Sequence, residues 1–241
     1  MKDKQMIDFY TLTSPNVRKI FLMLEEIGLP YKNVFVDVWK GDNFDPAFLN
    51  LNPNGKIPVI VDHDGPGGKP ITVFESGAIL LYLAEKAGKF MPADPVSRSR
   101  VIQWIFVQVG TVGPMLGQLG YFKMHGPSEG SEHAVARYTT EAARIFKMID
   151  GQLGRSRFIA GDEYSVADMA FYPWCGERIS AGKIGFDLDE FPNIIRWAEE
   201  IADRPATKRV AAIMPTIQSV RDNPKPEDFD RLWRRNGSAA A

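Results

Sequence analysis

The chain has 241 residues, with 29 Lys+Arg against 30 Asp+Glu and a net charge of −1. At roughly 150 residues per domain this implies one or two domains. The mix of 44% hydrophobic and 24% charged residues excludes disorder, collagen and coiled coil as classes. No basic field is available for nucleic acid. One cysteine, Cys175, excludes an intrachain disulfide, a CxxC pair and a cysteine zinc site. The three histidines, His63, His125 and His133, lack HExxH-type spacing, so no metal is expected. The start MKDKQMIDFY lacks the apolar core of a signal peptide. Apolar stretches such as Ala78–Ala84 fall far short of the roughly 20 residues that span a bilayer. The expected location is the cytoplasm.

The first ninety residues alternate in type. Met6–Thr11 reads as a strand. Val17, Ile20, Phe21, Leu24 and Ile27 then recur at helical spacing, and Gly28 stands where a C-terminal cap belongs. Tyr31–Val38 alternates Val34, Val36 and Val38 with other residues and reads as a second strand. A short helical piece, Asp45–Leu49, follows. Val59–Asp62 and Ile71–Phe74 flank the turn cluster HDGPGGK and form an expected hairpin. Ser76–Lys86 is a helix. The order is β-α-β-(α)-β-β-α. Phe90–Val96 carries two prolines and reads as a linker, and after it the strands stop. Ser97–Val112, Glu132–Leu153, Ser165–Arg178 and Asn193–Arg204 read as helices. His125 and His133 flank GPSEGSE, read as a loop. Asn223–Ala241 reads as a loose polar tail. The expected domains are residues 1–90, residues 97–222 and the tail 223–241.

Three positions could carry chemistry. Ser14-Pro15-Asn16 opens the first helix, with Ser14 as N-cap and Pro15 at the first helical position. It is either a plain cap or an anion site, where free N–H groups and the helix dipole favour a thiolate. Asn54-Gly55-Lys56-Ile57-Pro58 enters the third strand. It is either an ordinary turn or a bend whose Ile57 backbone pairs with a peptide ligand. Glu75-Ser76 opens the helix after the hairpin, with Ser76 as a plausible cap or as part of a carboxylate pocket. Together these would suit a small peptide with one thiol and two carboxylates.

The segments TLTSPNVRKIFLMLEEIGLPY, FLNLNPNGKIPVIVD and FESGAILLYLAEK resemble, in this order and spacing, the thioredoxin-like domain of glutathione transferases. FIAGDEYSVADMA resembles the capping-box segment of that family's helical domain, with Ser165 and Asp168 at S-x-x-D spacing. The resemblance spans residues 6 to 215. It implies an α/β thioredoxin-like domain followed by an all-α domain, with glutathione as cosubstrate. Gln103–Gln118 with the S-P-N turn is similar to the bacterial Nu class, which binds two glutathiones or one glutathione disulfide per site. That class reduces disulfides without a protein cysteine, and some members cleave glutathione thioethers of lignin-derived aromatics. The family often has Thr where this chain has Ser14.

The resemblance makes Ser14 and Asn16 the groups that face the glutathione sulfur, with Tyr10 left to packing. Ile57 would pair with the cysteinyl unit through its main chain. Glu75 and Ser76 would hold the γ-glutamyl end, and Lys40 the glycyl carboxylate. Asn54 and Lys56 would lie near the ligand. Arg137 would reach across a homodimer to a second glutathione, or is a solvated helix charge. Tyr121, Phe122, Tyr172 and Trp174 would line the second-substrate pocket, or belong to the core. Cys175 and Asp168 read as structural. The expected activity is disulfide reduction or thioether cleavage by bound glutathione thiolate. Conjugation of aromatic electrophiles and a non-catalytic ligand-binding module are the alternatives. A reductase working through its own thiols is excluded, because no cysteine stands near Ser14.

Overall fold

Strand β1 (Ile7–Thr11) buries Ile7, Phe9 and Thr11 and turns Asp8 and Tyr10 to the other face, the period-2 pattern of a sheet with unlike sides. The computed structural model describes residues 7–125 and 130–233. Met6 of the expected first strand, part of the GPSEGSE segment and the end of the expected tail therefore lie outside the described residues. The contacts divide the chain into two units, one up to Tyr82 together with the chain from Arg209 onward, the other from Leu83 to Lys208.

In the first unit, α1 (Pro15–Ile27) follows β1, with Ser14 as its N-cap and Gly28 at φ 70° closing it through an N–H bond to the Leu24 carbonyl. Strand β2 (Tyr31–Phe35) is shorter than the expected Tyr31–Val38. Val36 still donates to the Thr11 carbonyl at 3.0 Å, but the chain then turns at Asp37, whose carboxylate accepts from the Trp39 N–H. A 3₁₀ turn (Asp42–Phe44) leads into α2 (Pro46–Leu49). Strands β3 (Val59–Asp62) and β4 (Ile71–Phe74) form the expected hairpin, and α3 (Ser76–Ala87) follows. The sheet order is β2-β1-β3-β4, with β1 parallel to β2 and antiparallel to β3. One face packs Phe9 edge-on against Phe21 of α1, ring centroids 4.8 Å apart. On the other, Val36, Phe48 and Val59 form a cluster with Tyr10, Leu51 and Ile57 against it.

The second unit is helical. Helix α4 (Pro95–Val107), capped by Asp94, runs through a π-helical turn (Gln108–Val112) into α5 (Gly113–Met124). Then come α6 (Glu132–Leu153), α7 (Val166–Phe171), a second π turn (Tyr172–Gly176), α8 (Arg178–Lys183), α9 (Pro192–Ala202) and α10 (Pro205–Ile213). Thus the expected helix Ser165–Arg178 is α7 followed by the π turn and reaches only the first residue of α8, and α5, α8 and α10 are additions to the expected set. Asp168 is the hub of this unit. It is fully buried and accepts from the Ile159 and Ser165 N–H groups, the Ser165 hydroxyl and the Trp197 indole, all at 2.9 to 3.2 Å. With Ser165 it forms a capping box, the structural role read from its spacing.

The chain re-enters the first unit at Arg209 of α10, whose guanidinium donates to the carboxylate and carbonyl of Glu25 on α1. Pro226–Trp233, within the segment expected as a loose tail, forms α11. Phe229 on α11 packs edge-on against Trp39 at 5.2 Å. No helix among the described residues is long and apolar enough to cross a membrane.

Candidate functional site

The strand registers decide which of the candidate residues meet. Thr11 at the end of β1 pairs with Phe35 at the end of parallel β2. Tyr10 pairs with Val59 at the start of antiparallel β3, and Val59 pairs with Phe74 at the end of β4. The segments beyond these residues therefore leave one end of the sheet side by side. They carry Lys40, Ser14, Ile57 and Glu75-Ser76, from positions scattered over some sixty residues.

Ser14 is extended (φ −165°, ψ 163°), and its Oγ accepts from the Val17 N–H at 3.2 Å. The hydroxyl hydrogen is thereby left to point elsewhere, and among the described residues it has no acceptor. Asn16 lies in the first turn of α1, half-buried, and has a partner of its own. Tyr10 packs against Phe48 at 6.1 Å. Burial, then the Asp8 charge, holds its hydroxyl above the usual tyrosine range. Both facts suit packing rather than activation of a thiol.

The segment before β3 is tied down by asparagines. Asn52, 1% exposed, donates to the Lys56 carbonyl at 2.7 Å and accepts from the Asn54 N–H at 3.0 Å. Asn43 donates to the Gly55 carbonyl at 2.8 Å. Gly55 has φ 62°, and a Cβ there would stand 3.3 Å from the Asn43 carbonyl oxygen, so both backbone and space ask for glycine. The Ile57–Pro58 bond is cis. Among the described residues, neither the Ile57 N–H nor its carbonyl has a backbone partner.

Glu75 has φ 69°, a left-handed conformation uncommon for a non-glycine residue and concentrated at functional positions. Its carboxylate accepts from the Asn54 side chain at 3.4 Å, a long contact that links the two segments. Ser76 is the first residue of α3 rather than the cap before it; Glu75 takes that place, its carbonyl accepting from the Ile79 N–H. The Ser76 Oγ accepts from Lys19 Nζ at 3.1 Å. Lys19 is 1% exposed, and sequence reasoning missed it. Lysine is ordinarily a surface residue, so nothing local to α1 marks it.

Lys40 is exposed and lines a cavity of about 380 Å³ with Leu12, Asp37 and Asp42. Asn54 and Lys56 line a smaller one, about 240 Å³, with Phe44 and with Leu232 of α11. The remaining candidates lie in the helical unit. Arg137 is exposed on α6, 3.8 Å from Glu141. Tyr121 and Phe122 meet edge-on at 5.1 Å, and Phe122 stacks on Tyr138 at 5.8 Å. Trp174 lies beside Gly113 and Gly117 of α5. Tyr172 is only 7% exposed and packs edge-on against Trp197, which makes it a core residue. Cys175 is fully buried and forms no disulfide.

Two family models match the chain. That of the glutathione S-transferase N-terminal domain covers residues 13–86, and that of the glutathione S-transferase C-terminal domain covers residues 112–205. The chain belongs to the glutathione S-transferase family. Among curated glutathione S-transferase relatives, the disulfide-bond oxidoreductase YfcG of Escherichia coli is 44% identical over 84% of this chain and 93% of its own length. The disulfide-bond oxidoreductase YghU of the same organism is 39% identical over 86% and 74%. A glutathione transferase family member of Pseudomonas fluorescens, solved with two glutathiones bound, is 39% identical. It superposes with a TM-score of 0.80 over 87% of this chain and 94% of that one. A glutathione transferase of Pseudomonas putida, solved with one glutathione disulfide per subunit, is 38% identical. It superposes at 0.80 over 87% and 92%. The thioredoxin-like and helical halves expected from the sequence are those of this glutathione S-transferase fold.

Proposed function

We propose that this glutathione S-transferase is a disulfide-bond oxidoreductase that works with bound glutathione and no cysteine of its own. One observation carries this reading. The sheet end gathers a hydroxyl, the Ile57 backbone with no backbone partner among the described residues, and a carboxylate–hydroxyl pair, while the chain's single thiol, Cys175, is fully buried. The two relatives named for this activity support it, as do solved neighbours holding two glutathiones or their disulfide.

Glutathione binds with its sulfur at the N-terminus of α1. The Ser14 hydroxyl donates to the thiolate, the α1 dipole favours the negative charge, and Asn16 positions it. Ile57 pairs with the cysteinyl backbone. Glu75 accepts from the γ-glutamyl ammonium, and Ser76 donates to its carboxylate. Lys40 faces the glycyl carboxylate, with Asn54 and Lys56 beside the ligand. The thiolate attacks one sulfur of a disulfide RSSR, forming the mixed disulfide and releasing RS⁻. A second glutathione thiolate attacks the glutathione sulfur of that mixed disulfide and releases the second RS⁻. Two protons lost by the glutathiones end on the two RS⁻ groups, so RSSR is reduced as two glutathiones are oxidised to their disulfide. The enzyme contributes thiolate stabilisation and positioning. Arg137 of a homodimer and the aromatics Tyr121, Phe122 and Trp174 complete the reading, for the second glutathione and the apolar substrate.

The test is reduction of a small model disulfide by the purified chain with glutathione as sole reductant. A rate well above the spontaneous exchange is expected. Glutathione binding without that rate would overturn disulfide reduction and leave thioether cleavage or aromatic conjugation as the reaction.

A further inference from the structure

We propose that Lys19 is a positioning residue of the glutathione site, acting through Ser76. The inference rests on the glutathione reading above and adds to it a residue placed beneath the γ-glutamyl end. Lys19 is the fifth residue of α1, 1% exposed among Val17, Ile20, Phe21 and Met23, and its ammonium reaches the Ser76 Oγ at 3.1 Å. An ammonium can only donate. The Ser76 oxygen is therefore the acceptor, and its own hydrogen is turned to another group. Ser76 is 5% exposed, and among the described residues its hydroxyl has no acceptor. A buried hydroxyl with its oxygen engaged and its hydrogen unspent is set to donate, and a carboxylate only accepts. Ser76 is not the sole partner of Lys19. Burying an ammonium is costly, and an apolar side chain would fill the same helix position without that cost. Through this contact α1 serves the ligand at both ends, its cap residue Ser14 at the sulfur and Lys19 behind the γ-glutamyl group.

The experiment compares binding of glutathione and of cysteinylglycine, which lacks the γ-glutamyl unit, by titration calorimetry on the full chain. Wild type, Lys19→Met, Lys19→Arg, Ser76→Ala and the Lys19→Met/Ser76→Ala double variant are measured, with circular dichroism as a check on folding. Lys19→Met is expected to weaken glutathione binding about tenfold, the effect of one charge-assisted hydrogen bond, and to leave cysteinylglycine binding unchanged. Ser76→Ala should do the same, the double variant should be no weaker than either single one, and Lys19→Arg should retain most of the affinity. Equal weakening for both ligands would mean a merely structural lysine and overturn the proposal. So would wild-type affinity in Lys19→Met, or additive losses in the double variant. If Lys19→Met fails to fold, Ser76→Ala and Lys19→Arg decide: glutathione affinity unchanged in the first, or lost in a folded second, overturns it. A wild-type chain that binds no glutathione would overturn the functional reading itself, before any variant is made.

Discussion

In the proposed site, single side chains at the sheet end do two jobs at once, and substitution separates them. Ser14 caps α1 by accepting the Val17 N–H, so Ser14→Ala should lower stability by ~1 kcal/mol. In the proposed mechanism it also removes the thiolate's hydroxyl donor. The disulfide reductase rate should then fall about tenfold or more, beyond what the small stability loss explains, and Ser14→Thr should restore it. Kinetics alongside urea denaturation check both. Asp168 obeys a different logic. Burial is the largest influence on it and pushes its carboxyl up to about 6, against the four donors that favour the charged form. A carboxyl whose folded value lies above its unfolded one contributes most stability below about 4, and loses it as the pH rises through about 6. The stability deficit of Asp168→Asn relative to wild type should therefore widen as the pH falls from neutral towards the ordinary carboxyl value of 3.8. Denaturation midpoints across that range measure it. Ser14 and Asp168 were both legible in the sequence, because caps are local signals. Lys19 was not, because its partner Ser76 lies 57 residues away.

At the scale of elements, legibility follows the same divide. The thioredoxin-like elements came within a few residues, since β1, α1, β3 and β4 carry clean apolar periods and α1 has a capping residue at each end. Helix α5 escaped because Gly113, Pro114, Gly117 and Gly120 read as breakers. Their use is tertiary: Trp174 lies against Gly113 and Gly117. Helix α11 escaped because half of PEDFDRLW is charged, and its apolar Phe229 finds its partner in Trp39, almost two hundred residues earlier. Two glycines make the point testable. A Cβ at Gly117 would meet Trp174 at an ordinary 3.7 Å, so Gly117→Ala should be neutral, or stabilising by up to ~1 kcal/mol through helix propensity. A Cβ at Gly176 would stand 2.6 Å from the Tyr172 ring and 3.0 Å from Trp197. Gly176→Ala should therefore cost ~2 kcal/mol, seen as a clear fall in Tm where Gly117→Ala shows none.

For the whole molecule, a net charge of −1 offers little resistance to self-association. The proposed homodimer is checked by size-exclusion chromatography with light scattering, where about twice 27.0 kDa is expected; a monomer would remove the cross-subunit role of Arg137. With Cys175 sealed inside, the protein has no accessible thiol couple in which to hold electrons between encounters. A catalyst of that kind has no reduction potential to impose. In the proposed reaction the disulfide is drawn toward the poise of the surrounding glutathione pool, and because that reaction spends two glutathiones per disulfide, the pull varies with the square of their concentration. Diluting the pool would thus weaken the reduction more steeply than it would for a dithiol protein recharged by its own reductase, while electrophiles and oxidants that attack exposed cysteines would find none on this chain.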